Sequence, residues 1–128
     1  MLAAIEPVWQ RHLGWVFEEA ARAHAARLVE ARVLPGDLVV GRWWSTTGPQ
    51  VEVDVLGLRG ARAALVGEAR WQARPLDVRD VAALHAKLAR LPTPVDKPIV
   101  ALWGRAGLTA AARAAGAVGW GLREVLAE

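Results

Sequence analysis

Two apolar runs, Val51 to Leu58 and Ala63 to Arg70, flank a short loop at Gly60, and each carries acid where a buried strand normally has none. Two such runs around a glycine-containing loop are a hairpin pattern. With the hairpin centred near Ala61, Asp54 falls opposite Glu68 and Glu52 opposite Arg70. Residues two apart on a strand share a face. That predicts Glu52, Asp54, Leu56 and Leu58 on one side and Val51, Val53 and Val55 on the other, with Glu68 and Arg70 together. Like charges directly across a ladder destabilise it. Asp54 and Glu68 therefore require a cation or a base close by, and that requirement is the first functional hint.

The rest of the chain supplies the layers around this hairpin. The first 32 residues read as one long helix, with Trp9, Leu13, Val16, Phe17, Ala20, His24 and Leu28 recurring at three and four. Pro7 suits its first turn, and Val33-Leu34-Pro35-Gly36 stops it. Leu38 to Trp44 is a strand candidate, and Ser45 to Pro49 a turn cluster. Pro75 and Asp77 open a second helix with an apolar stripe of Val81, Leu84, Leu88 and Leu91, and Pro92 and Pro94 close it. Pro98 to Trp103 has the continuous apolar character of a buried parallel strand. Thr109 caps a third helix ending at Gly116, Val118 to Trp120 is a last short strand, and Leu122 to Leu126 a terminal helical turn. A meander followed by a helical crossover predicts a three-layer α/β/α sandwich on a mixed sheet of four to five strands.

Length and composition then exclude classes. The 128 residues suffice for one domain, and 54% hydrophobic content rules out a disordered chain. The net charge of +3 permits nucleic-acid binding without requiring it. With no cysteine, thiolate metal sites, disulfides and cysteine nucleophiles are excluded, and a cytoplasmic location is the expectation. The first residues lack a signal-peptide pattern, and no apolar stretch is long enough to span a bilayer. No phosphate-binding glycine loop of the ATPase or dinucleotide type is present.

The element order, with D…E-x-K straddling the second and third strands, resembles the PD-(D/E)xK nuclease superfamily, whose fold is restriction-endonuclease-like. The stretches HLGWVFEEAAR, VGRWW…VEVDVLGL, LVGEARW and KPIVALWGRAGLT resemble the C-terminal domain of archaeal-type AAA ATPases, from about His12 to Leu126. The resemblance implies roles by position. Asp54 and Glu68 would be metal ligands for Mg²⁺ or Mn²⁺, often joined by the Ala69 carbonyl. Arg70 stands where the motif has lysine, and Glu18 matches an auxiliary first-helix acid. Gly104-Arg105-Ala106-Gly107-Leu108 departs from the S-x-x-G-F pattern. The ATPase module would be a separate upstream domain, and the chain a fragment of such a protein or a stand-alone relative.

Hydrolysis of a phosphodiester needs a directed hydroxide and relief of charge on the phosphoryl oxygens, which one or two divalent ions supply. Magnesium takes few carboxylates and keeps its waters, so Asp54 and Glu68, with Glu18 or Glu52 outside them, suffice. Arginine stabilises charge but cannot be a base. The expected function is therefore a metal-dependent nuclease-like domain acting on DNA. The alternative is a catalytically inactive module of the same fold that binds DNA, a partner protein, an ATPase or a second copy of itself. In that case Arg70 neutralises Glu52, Asp54 and Glu68 for good. Bland readings stand beside the others. Glu18 with Arg22 at i+4 suits an exposed helix face, Trp43, Trp44 and Trp71 suit core or rim packing, and His24 and His85 suit packing on apolar faces. Arg74, Arg79, Arg90 and Arg105 suit a solvated surface.

Overall fold

The sheet is one continuous five-stranded layer in sequence order, β1 (Val39–Trp44), β2 (Glu52–Arg59), β3 (Arg62–Arg70), β4 (Val95–Gly104) and β5 (Val118–Trp120). β1, β2 and β3 pair antiparallel in succession, and β4 lies parallel to both β3 and β5. Our computed structural model describes the chain apart from Met1, Thr46, Pro49, Pro94 and Glu128, and apart from the side chains of Leu2 to Ala4 and of Asp96. Parts of the predicted Ser45–Pro49 turn and of the Pro92/Pro94 stop therefore lie outside the described residues.

Helices cover both faces. On one side Phe17, Ala21 and Ala25 of α1 (Leu2–Glu30) and Val125 of α4 (Leu122–Leu126) pack on Val55, Leu65, Ala69, Ala101 and Trp103. On the other, Val81 and Leu84 of α2 (Val78–Leu88) and Ala112 of α3 (Ala110–Ala114) pack on Val53, Leu56, Val66, Val100 and Leu102. Burying one such side chain is worth ~1.5–3 kcal/mol, so each layer is held by several independent contributions. The result is the α/β/α sandwich on a mixed sheet that the sequence predicts. Among the described residues no helix is long and apolar enough to cross a membrane.

Helix ends follow local chemistry. Arg32 takes the left-handed conformation (φ 60°), and the N–H groups of Val33 and Leu34 return to the Leu28 carbonyl. Helix α1 starts at Leu2, so Pro7 sits in its second turn rather than its first, where it removes one helical hydrogen bond. Asp77 caps α2 through Val78 N–H while Asp80 bonds back to Asp77 N–H. The Thr109 hydroxyl donates to Asp77 Oδ1 at 2.7 Å and accepts from Ala112 N–H, which joins the starts of α2 and α3.

Two departures from simple alternation shape the site: a register shift between Gly57 and Leu58 in the β2–β3 ladder, and a bulge in the β1–β2 ladder. Between the pairs Gly41–Leu56 and Trp43–Val53, Arg42 faces two residues, Asp54 and Val55. This bulge breaks the period of two. Val53 joins the core beneath α2 and Val55 the core beneath α1, contrary to the expectation that they share a face. The carbonyl of the bulged Asp54 accepts from Arg22 of α1 at 3.1 Å.

Candidate functional site

The hairpin register brings the two acids together. Val55 pairs with Gly67, Leu56 with Val66 and Gly57 with Leu65, so the ladder continued by one residue sets Asp54 across from Glu68. Gly67 is needed beside Glu68, because a Cβ there would lie 2.6 Å from the Trp103 ring and 3.2 Å from the Ala101 carbonyl oxygen. Asp54 is 3% exposed and Glu68 5%. Asp54 Oδ2 accepts the Ala69 N–H at 3.0 Å and Arg70 Nη1 at 3.2 Å.

Two cations hold these carboxylates. Arg70 spans them, with Nη1 on Asp54 and Nη2 2.7 Å from Glu68 Oε2. It also donates to the Ala69 carbonyl at 3.2 Å. The second cation is Lys87 of α2, whose ammonium contacts Glu68 Oε1 and donates to the Glu52 carbonyl at 2.8 Å. Ionised, these four side chains carry no net charge, the balance that buried carboxylates need. Glu68 Oε2 is nevertheless without a hydrogen bond. Arg70 Nη2 is near enough for charge attraction yet does not direct an N–H along that line, so the contact is an ion pair without a hydrogen bond. Burial pushes the Glu68 carboxyl above its usual range, Arg70 and Lys87 pull it back, and Asp54 pushes it further up.

Glu18 of α1 is half-buried and lines the same cleft as Ala69 and Arg70. Its carboxyl is raised first by burial and then by the Asp54 charge, against Arg42, Arg22 and Arg70. Thus Asp54, Glu68, Arg70 and Glu18 gather at one end of the sheet. Glu52 does not join them through its carboxylate. It pairs with Arg42 at 3.5 Å, because Arg70 turns toward Asp54 and Glu68 instead of across the ladder. No group of three or more His, Cys, Asp or Glu arranged to hold a metal occurs among the described residues. Two spaces adjoin the acids. A partly enclosed cavity of about 40 Å³ touches Glu68, Arg70, Asp80 and Lys87, and an open cleft of about 700 Å³, lined by Glu18 but not by Asp54 or Glu68, lies along α1.

Lys87 is the participant that sequence reasoning missed. Its signal was its position three residues after the buried Leu84, on the flank of the α2 stripe, in a chain with only two lysines. Other residues sort plainly. His24 is buried and accepts from Trp103 Nε1 at 3.0 Å, whereas His85 is exposed, since it lies off that stripe. Trp43 packs on the core beneath α2, Trp44 is half exposed under Arg42, and Trp71 packs on Phe17. Arg74 pairs with Asp80, and Arg105 lies over Trp71.

Comparison with known proteins gives one match. No curated protein and no solved structure matches the chain. Residues 1–84, which include both acids, Arg70 and most of α2, match the family DUF234, described as Archaea bacterial proteins of unknown function. The chain belongs to that family.

Proposed function

We propose that this chain is a metal-dependent nuclease-like domain of the PD-(D/E)xK type that hydrolyses DNA phosphodiesters at Asp54 and Glu68. The observation that carries this reading is the convergence of two buried carboxylates with an ammonium and a guanidinium at one sheet end. The motif resemblance and the α/β/α fold support it. The donor set fits a hard cation. It consists of carboxylate oxygens and a backbone carbonyl, Glu68 Oε2 is ion-paired with Arg70 but accepts no hydrogen bond, and the cavity on the Glu68 side exceeds the volume of one water. Asp54, Glu68 and the Ala69 carbonyl would hold Mg²⁺ or Mn²⁺. When bound, such an ion supplies Lewis acidity and a nucleophilic hydroxide at neutral pH.

The chain's own residues do the rest. Lys87 fills the role of the motif lysine from α2 instead of β3: its ammonium balances Glu68 and orients a water beside it. Arg70 is 44% exposed at its side chain, and turning outward would exchange its contacts with Asp54 and Glu68 for the substrate. Turned toward a bound phosphodiester, its guanidinium takes up charge on the phosphoryl oxygens. Glu18 holds water at the cleft wall.

The second reading is a catalytically inactive module that binds DNA or an associated ATPase. One observation favours it, namely that Arg70 already bridges both acids. A nuclease assay on plasmid and branched DNA with Mn²⁺ separates the two. Hydrolysis by the wild type, reduced about a hundredfold or more in Glu68→Ala and Lys87→Ala and retained in Arg70→Lys, is the outcome of the first reading. A wild type without activity leaves the second.

A further inference from the structure

We infer that the open cleft beside the acids is a stacking subsite for an unpaired nucleobase, which makes single-stranded DNA the substrate class; this rests on the nuclease reading above. The cleft, of about 700 Å³, runs between α1 and the end of β3 and is lined by Arg11, Trp15 and Glu18 on one wall and Ala69, Arg70 and Trp71 on the other. Glu18 and Arg70 form the rim that the cleft shares with the acid site, while the buried Asp54 and Glu68 do not line it.

Its walls suit a flat aromatic guest. Trp15 is 53% exposed, and among the described residues no ring or guanidinium stacks on it. Trp71 is fixed in place. Its Nε1 donates to Gln10 at 3.0 Å, its ring packs on Phe17, and Arg105 lies over it at 4.8 Å. Arg70 lines this cleft and also touches the cavity beside Glu68, so it is the side chain past which a strand bound at the acids would continue toward Trp15. With Arg70 balanced by Asp54 and Glu68, Arg11 and Arg105 face the single carboxylate of Glu18, a local positive excess that draws a polyanion and disfavours a neutral apolar segment. Tryptophan stacks on any base, but only on one whose face is free. Within a duplex, neighbouring pairs cover both faces.

Binding without turnover tests this. The intact chain in EDTA is titrated into a labelled oligothymidylate of about twelve nucleotides, an abasic strand with the same phosphates, and a duplex, read by anisotropy. The expected result is at least about tenfold tighter binding of the oligothymidylate than of either competitor, with Trp15→Ala weakening it about fivefold to a hundredfold. Equal affinity for the abasic strand overturns the stacking subsite, and that comparison needs no variant. So does an unchanged Trp15→Ala, or a dimer that Trp15→Ala dissociates, which assigns the cleft to self-association. Base-dependent binding without hydrolysis in Mn²⁺ supports the subsite and overturns only the nuclease reading. Hydrolysis without base dependence overturns only the subsite.

Discussion

The backbone N–H of Ala69 donates to Asp54 Oδ2 at 3.0 Å, so the carboxylate on β2 is tied to the strand residue that follows Glu68. The two acids cannot drift apart without breaking this bond. Their spacing is therefore a property of the hairpin register and not of side-chain rotamers alone.

Lys87 tests the charge balance. Lys87→Met removes one of two cations from the buried Glu68 and a donor from the Glu52 carbonyl. Because Lys87 is partly exposed, the expected loss is about 1–3 kcal/mol, below that of a fully buried pair. Urea unfolding reads it. In Lys87→Met with Glu68→Gln the penalty should shrink, giving a coupling of about 1 kcal/mol or more. Strict additivity contradicts the pairing.

His24 tests pH dependence. Burial, and then Arg27, hold its pKa below the usual 6.5, while Glu124 opposes them. The neutral ring accepts from Trp103, and a protonated Nδ1 cannot. A depressed histidine contributes stability above pH 6.5 that is lost as pH falls through its folded value. Glu68 and Glu18 act in the opposite sense, since raised carboxyls contribute stability below 4.5 that is lost as pH rises through their folded values. Taken from about pH 7 to about pH 5.5, the wild type should lose more melting temperature than His24→Gln. Parallel curves contradict the assignment.

Gly67 tests how the site is seated. An added Cβ would meet the fully buried Trp103 ring at 2.6 Å and Val55 at 3.2 Å. Gly67→Ala is expected to cost about 1–3 kcal/mol and to shift Glu68 with it. Chemical denaturation, followed beside the tryptophan emission, measures both. A neutral Gly67→Ala would show that the strands yield more easily than this packing implies.

Much of this site was legible in the sequence because periodicity and turn chemistry are local. The loop at Gly60 marked the hairpin, and a register shift between Gly57 and Leu58 completes the pairing, since the ladder at the turn alone would set Asp54 across from Gly67; Asp77 and Thr109 marked their helix starts. What stayed hidden depended on partners distant in the chain. The bulge opposite Arg42 arises only when β1 pairs with β2, so Val53 and Val55 were placed on one face when they lie on two. Arg70 could have crossed to Glu52, yet Asp54 and Glu68, both buried, need it more than the half-exposed Glu52, which takes Arg42. Lys87 stayed hidden because its ammonium reaches the sheet from α2 on a long apolar stem, a contact made only once α2 packs on the sheet.

The most direct measurement is calorimetric titration of Mn²⁺ into the wild type, Asp54→Asn and Arg70→Ala. A saturable heat in the wild type that vanishes in Asp54→Asn and persists, or tightens, in Arg70→Ala is the predicted result, since Arg70 stands where it competes with a cation for both acids. If neither the wild type nor Arg70→Ala binds Mn²⁺, the carboxylates form a closed ion-pair network, and the account of a metal-dependent site is contradicted.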